Sequence, residues 1–132
     1  MPAEHYIDDT SHIVTTTWKG NAIDSEFLES LKEYKNNIQC KPEYFNYNEI
    51  FDLSKADNIK LTINGLINIG RMASNTDHLF SHKKLTLIVA SNSAFGIARM
   101  YETYRNMGIS CCKTIRVFKN EIKTIEWASE NA

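Results

Sequence analysis

The chain has 132 residues, a length that suits one domain built on one hydrophobic core. Its residues are 42% hydrophobic, 11% aromatic and 23% charged, which is typical of a folded globular protein and excludes a disordered or fibrous one. A formal net charge of −1 and a pI near 6.4 provide no field that would attract nucleic acid or anionic lipid, so we expect neither as a partner.

The sequence shows neither a membrane signal nor a disulfide pattern. No apolar run approaches the roughly 18 residues of a membrane span, and no basic stretch leads into an apolar one near the start. Cys40, Cys111 and Cys112 are an odd set, and two of them are adjacent, so a disulfide framework is not expected. Reduced thiols and the missing membrane segment predict a cytoplasmic protein.

The first half of the sequence predicts a hairpin, a helix and a short strand. Residues 6–18, YIDDTSHIVTTTW, hold two β-rich stretches around a turn at residues 9–11. A helix is expected from Asp24, which is a candidate N-cap, with a linker after it because Pro42 cannot continue the helix. The strand EIFDL follows at 49–53. The apolar stripe of the helix consists of Phe27, Leu28, Leu31 and Tyr34.

The second half alternates helices and strands. A helix is expected from Thr62 or Asn64, and LTLIVA at 85–90 is typical of a central strand buried on both faces. ASNSAFGIARMYETYRNMG, residues 90–108, predicts a turn, a helix and the capping residue Gly108. KTIRVF at 113–118 alternates as a strand. A last helix is expected after Asn120, with an apolar stripe of Ile122, Ile125 and Ala128.

The order β, β, α, β, α, β, α, β, α predicts an α/β fold in a single domain over residues 1–132, with an ordered core from about 6 to 129. The opening hairpin is antiparallel. Right-handed helical crossovers make the later strands parallel.

Polar residues follow the predicted parallel strands at the edge where ligands of open α/β sheets bind. The turns at 52–55, 91–93 and 119–120 would meet there, close to the N–H groups that begin the helix after residue 93, which attract anions. Arg99 could fold back toward an anion or pair with Glu102. Capping of the helix is the simpler alternative. The candidate ligand-binding residues are Asp52, Ser54, Ser91, Asn92, Ser93 and Arg99.

Two other groups of residues are candidates for metal binding or thiol chemistry. His78 and His82 are four apart and could share a helical face, but no further ligand stands at a diagnostic spacing, so no metal site is predicted. Cys111 and Cys112 lack the C-x-x-C spacing that lowers a thiol pKa. Neither a lysine-bearing phosphate loop nor a G-x-G-x-x-G run is present, so we expect no cofactor.

Several strings resemble those of small bacterial SpoIIAA-like proteins, which are related to STAS (anti-anti-sigma) domains and grouped with CRAL-TRIO lipid-binding folds. They are WKGNAID, FDLS, LTLIVASNSAFGIARMYETYR and VFKNEIKTIEWA, within a resemblance that runs from about Tyr6 to Ser129. The resemblance implies a single-layer, mixed five-stranded sheet with four flanking helices, and it implies little about chemistry.

Anti-anti-sigma factors carry a phosphorylation loop at the start of the second crossover helix. The nearest match here is Thr62-Ile63-Asn64-Gly65-Leu66, in which Asn64 stands where the phosphorylated serine would be. This departure argues against the phosphorylation switch and leaves Thr62 as the substitute candidate.

We therefore expect a non-enzymatic cytosolic binding or regulatory module that recognises a protein partner or a small amphipathic or anionic ligand. One alternative is an enzyme that uses Asp52, Ser54 and Ser93. Another is a homodimeric assembly module, with Tyr104 and Met107 in an exposed apolar patch.

Overall fold

A central sheet of five strands organises the molecule, in the order β1-β2-β4-β6-β7. The computed structural model describes residues 3–75, 83–106, 113–119 and 126–128. Strand β1 is antiparallel to β2, whereas β2, β4, β6 and β7 are mutually parallel. The strands are β1 (Ala3–Asp8), β2 (Ile13–Trp18), β4 (Asn48–Asp52), β6 (Lys83–Ile88) and β7 (Lys113–Phe118). The predicted α/β fold with its opening hairpin and mixed sheet is confirmed.

Helices connect the parallel strands. They are α1 (Asp24–Tyr34), α2 (Ile63–Ser74) and α3 (Asn92–Asn106), and residues 126–128 are also helical. One π-helical turn (Lys35–Gln39) continues α1, and a short 3₁₀ turn (Pro42–Tyr44) precedes β4. The sequence had predicted an irregular linker after α1, and the helical backbone instead runs on to Gln39 before Pro42 is reached.

The two faces of the sheet carry separate apolar clusters because side chains alternate along each strand. The larger cluster lies between the sheet and α1–α3 and includes Trp18, Phe27, Leu66, Leu87, Ala98 and Ile115. Trp18 is fully buried and stacks on Phe27 with ring centroids 4.4 Å apart. The opposite face holds the smaller cluster of Ile13, Ile50, Ile88 and Ala128.

A second, two-stranded sheet was not predicted. It pairs β3 (Gly20–Ile23) with β5 (Ala56–Lys60) in parallel, next to the start of α1. Gly20 has a φ of 91°, and the pairing register shifts between Gly20 and Asn21. Glycine adopts this backbone without strain, so the chain can turn from β2 into β3 within two residues.

Asp24 does not cap its own helix, contrary to the prediction. Ile23 is the N-cap of α1 and has no side-chain capping bond, while the Asp24 carboxylate bonds to Thr62 at the start of α2. Several other predicted features lie outside the described residues: the Gly108 and Asn120 caps, Ile122 and Ile125, Met107, the His78–His82 pair and the Cys111–Cys112 pair.

Candidate functional site

The turns that follow β4 and β6 lie at the same edge of the sheet, as the sequence indicated. These strands are parallel neighbours, with Asp52 opposite Ile88 in register. The Leu53 N–H continues the ladder by donating to Ile88 O at 2.8 Å. We call this edge the rim and define it by residues 52–54 and 91–93.

The polar side chains of the rim bond mainly within their own turns. Asp52 Oδ1 accepts from the backbone N–H of Ser54 at 2.9 Å and from the Ser54 hydroxyl. Ser91 Oγ accepts from Ala94 N–H at 3.1 Å, which makes Ser91 the cap of α3. Ser93 Oγ is exposed and lies 3.3 Å from Ser91 Oγ. These bonds correspond to the capping alternative.

Three observations concern anion binding at the rim. Lys119 Nζ donates to Asn92 Oδ1, so a cation lies beside the first residue of α3. Arg99, however, pairs with Glu102 at 3.2 Å on the exposed side of that helix. The side chain of Asp52 follows the alternation of Ile50 and faces away from α1–α3. Ligand binding by these rim residues stays a prediction.

Thr62 is occupied as a helix cap. Its hydroxyl oxygen accepts from Gly65 N–H at 2.9 Å, while its own O–H and N–H donate to the Asp24 carboxylate at 2.6 and 3.1 Å. A phosphoryl group on Thr62 would therefore face a carboxylate at hydrogen-bond distance, and like charges repel.

A cavity of about 110 Å³ lies between the sheet and α1–α3, within the larger apolar cluster. Most of its wall is aliphatic or aromatic, and the wall residues include Trp18, Phe27, Phe51, Leu66, Leu87 and Ala98. The polar residues that line it are His5, Thr16, Ser30, Gln39 and Glu49, together with the hydroxyl-bearing Tyr34 and Tyr101. Small-molecule sites combine apolar walls with a few polar groups in this way.

Glu49 organises the polar end of the cavity, which we define by Tyr34, Gln39 and Glu49. The carboxylate is buried, and its Oε2 accepts from the Tyr34 hydroxyl and, at 2.9 Å, from Gln39 Nε2. Lys83 Nζ lies 3.8 Å from the same oxygen and also donates to Tyr44 O at 3.4 Å. Burial and the charge of Glu49 raise the Tyr34 pKa well above its ordinary value. The tyrosine is therefore a fixed donor.

His5 lies beside this end, on the edge strand β1. Its Nδ1 is 2.7 Å from Thr16 Oγ1, and its ring centroid is 5.0 Å from that of Tyr34. Burial lowers the His5 pKa, and the opposing effect of Glu33 is smaller. The neutral ring is therefore favoured where it lines the cavity.

Sequence reasoning missed Glu49, Gln39 and Tyr34 as a group. Tyr34 was assigned to the apolar stripe of α1, and Glu49 only to a strand. One signal was available: in EIFDL, Glu49 alternates with Phe51 and Leu53, which places a carboxylate on the apolar side of the strand. No comparable signal marked Gln39, because its inward position depends on the π-helical turn.

The architecture of the chain is similar to that of a solved structure. The chain superposes on an uncharacterized protein of the DUF3478 family from Shewanella loihica PV-4, which has a SpoIIAA-like fold, with a TM-score of 0.61. The alignment covers 96% of this chain and 91% of that chain. This chain has a SpoIIAA-like fold. Because only 7% of the aligned residues are identical, the likeness concerns the fold alone.

No family model and no curated protein matches the chain, so the sequence comparisons identify no relative. Within residues 3–75, 83–106, 113–119 and 126–128, no helix is long and apolar enough to span a membrane. The same residues hold no cluster of three or more His, Cys, Asp or Glu that could bind a metal ion.

Proposed function

We propose that the protein is a binding module that holds a small amphipathic molecule in the cavity between the sheet and α1–α3. The observation that carries the proposal is the cavity itself, which combines apolar walls with a polar end in one space. The SpoIIAA-like fold is compatible with a binding or regulatory role, although a fold by itself does not assign one.

The apolar walls of the cavity favour binding of an apolar group. The side chains around a void lack partners on one side, and unfilled space costs about 24 cal/mol per Å³ in protein cores. For 110 Å³ this coefficient sets an upper bound of about 2–3 kcal/mol, because the cavity is partly open to solvent, and a ligand of matching shape would recover part of it. That gain alone is smaller than the roughly 4 kcal/mol of a millimolar complex, so hydrogen bonds at the polar end would be needed for tight and specific binding.

The rim is the less favoured location for the ligand. Asp52, Ser54 and Ser91 are engaged within their own turns, and Arg99 is paired with Glu102. The enzyme alternative placed its chemistry on Asp52, Ser54 and Ser93, and it requires turnover that depends on those residues. Protein recognition and homodimer assembly are the remaining alternatives, and both would be independent of the volume of the cavity.

The proposal is tested by filling the cavity. Ala98 lines it from α3, whereas Thr103 is exposed on the same helix, so Ala98→Leu and Thr103→Leu add bulk inside and outside the site. Small molecules that copurify with each protein are identified by mass spectrometry, and folding is checked by circular dichroism. We expect an amphipathic compound with the wild type and with Thr103→Leu, and its loss with Ala98→Leu.

A variant at the rim separates the two locations. Ser93→Ala should retain the copurifying compound if the cavity is the site. Loss of the compound in Ser93→Ala but not in Ala98→Leu would move the site to the rim. Robust turnover that disappears in Ser93→Ala would instead support the enzyme alternative.

A further inference from the structure

The polar end of the cavity includes an acceptor, the side-chain oxygen of Gln39, that the described protein groups do not use. Gln39 is 2% exposed and lines the cavity. Its Nε2 donates to Glu49 Oε2, so a flipped amide would set Gln39 Oε1 against a carboxylate oxygen. Oε1 is thereby fixed as the acceptor, and among the described residues it has no hydrogen-bond partner.

A buried acceptor without a partner is uncommon in folded proteins, because it loses its hydrogen bonds to water and gains none within the protein. We propose that the ligand of this cavity is an uncharged molecule whose hydroxyl or N–H group donates a hydrogen bond to Gln39 Oε1. The inference rests on the proposed function, and it specifies the chemistry of the ligand's polar group.

The charges around Gln39 disfavour an anionic ligand. Tyr34 O–H and Gln39 Nε2 both donate to Glu49, so the donors of the polar end already serve one carboxylate. A second carboxylate would be desolvated beside Glu49, where like charges repel. A cationic group gains little, because Lys83 lies 3.8 Å from Glu49 and balances its charge.

The volume of the cavity limits how much of the ligand can be buried. A cavity of about 150 Å³ in another protein core admits benzene. A cavity of 110 Å³ therefore accommodates roughly five non-hydrogen atoms, such as a short alkyl chain with its polar terminus.

The local backbone explains why Gln39 reaches this place. Cys40 N–H donates to Lys35 O at 3.0 Å, five residues back, which is the hydrogen bond of a π-helical turn. Within that turn Lys35 and Gln39 are buried, whereas Asn36 and Asn37 are exposed. Such turns inside or at the end of α-helices are frequent at functional sites.

Three probes of similar size separate the polar groups: butan-1-ol donates a hydrogen bond, 1-chlorobutane does not, and butyrate is an anion. Titration of the ¹⁵N-labelled wild type by NMR gives an affinity for each. We expect butan-1-ol to bind roughly two- to tenfold more tightly than 1-chlorobutane, as one hydrogen bond allows, and butyrate to give no saturable shift. The Gln39 side-chain amide resonances should move on saturation with butan-1-ol.

Two matched variants identify the acceptor. Gln39→Met keeps the shape and removes the oxygen, so the preference for butan-1-ol should disappear or reverse, because its hydroxyl would then be buried without an acceptor. Thr15→Val removes a hydroxyl from the same strand at a position that does not line the cavity, and it should retain the preference for butan-1-ol. If Gln39→Met does not fold, the wild-type affinity ratio and the amide shift decide the question.

The inference would be overturned by equal binding of butan-1-ol and 1-chlorobutane to the wild type, by preferred binding of butyrate, or by a preference for butan-1-ol that persists in Gln39→Met. These outcomes leave the cavity as a binding site. Failure of all three probes to bind would instead count against the proposed function.

Discussion

The imidazole of His5, which lines the cavity, makes the stability of the protein depend on pH. Its ring is partly buried between Thr16 and Tyr34, and burial lowers its pKa below the ordinary value of 6.5. The unfolded chain therefore takes up a proton on this histidine below about pH 6.5 that the folded chain does not. The stability contributed by neutral His5 is complete above pH 6.5 and is lost as the pH falls through the folded pKa.

The prediction is that His5→Gln reduces the loss of stability between pH 7 and pH 5. Glutamine keeps a group that can bond to Thr16 but does not titrate. Urea unfolding of both proteins at the two pH values gives the difference, and the NMR titration of the His5 ring gives its folded pKa. A folded pKa at or above 6.5, or equal losses in the two proteins, would contradict the prediction.

Single residues also mark the limit of sequence reasoning about the site. The sequence correctly places Asp52 and Asn92 after neighbouring strands, because a helical crossover connects consecutive parallel strands. It does not indicate that Asp52 bonds to Ser54 and faces away from α1–α3. Nor does it indicate that Gln39 and Glu49, ten residues apart, form a buried hydrogen bond, since that pair depends on the packing of α1 against β4.

At the scale of elements, one carboxylate joins the beginnings of α1 and α2. Asp24 accepts both the O–H and the N–H of Thr62, and its position directly above α2 requires a glycine at residue 65. A Cβ built on Gly65 would lie 2.1 Å from Asp24 Oδ1. The two helices can meet here only because residue 65 has no side chain.

A double-mutant cycle tests this joint. Gly65→Ala should lower the free energy of unfolding by about 1–3 kcal/mol, because Asp24 must move and release Thr62. In an Asp24→Ala background the clashing atoms are gone, so the same substitution should be neutral or slightly stabilising. Chemical denaturation of the four proteins gives a coupling energy within the range of about 0.5–3 kcal/mol that is usual for contacting residues.

Gly96 in α3 supplies the control for that cycle. A Cβ there meets nothing within 4 Å, so Gly96→Ala should stabilise the protein by about 0.5–1 kcal/mol, with or without Asp24. Additive effects of Gly65→Ala and Asp24→Ala would show that the two residues do not share this contact.

The elements that periodicity predicted are those with a long apolar pattern. The hairpin, the four parallel strands and the three crossover helices all belong to this class. Strands β3 and β5 were missed because β3 has only four residues and β5 only five. The β5 sequence, ADNIK, also lacks the alternation of polar and apolar residues that is typical of a strand. The π-helical turn was missed because Asn36 and Asn37 are typical of a loop and Pro42 indicates a helix end.

At the scale of the whole molecule, the two apolar clusters share the same strands. Phe51 and Leu87 pack with the larger cluster, while their neighbours Ile50 and Ile88 belong to the smaller one. Residues 126–128 are tied to this sheet: Asn48 Nδ2 donates to Ala128 O at 2.8 Å, and Lys84 Nζ donates to Trp127 O at 2.9 Å. Because the same strands carry both apolar clusters, unfolding of one cluster disrupts the other.

We therefore predict that the single domain expected from the sequence unfolds in one cooperative transition. Trp18 reports on the larger cluster and Trp127 on the opposite face, so Trp127→Phe and Trp18→Phe each leave one fluorescent probe. Trp18→Phe should lower the midpoint, because Trp18 is fully buried. The comparison is thus made within each variant, between fluorescence and far-UV circular dichroism in urea. Coincident curves in both variants indicate two-state unfolding, whereas an earlier Trp127 transition would mean that residues 126–128 detach before the sheet unfolds.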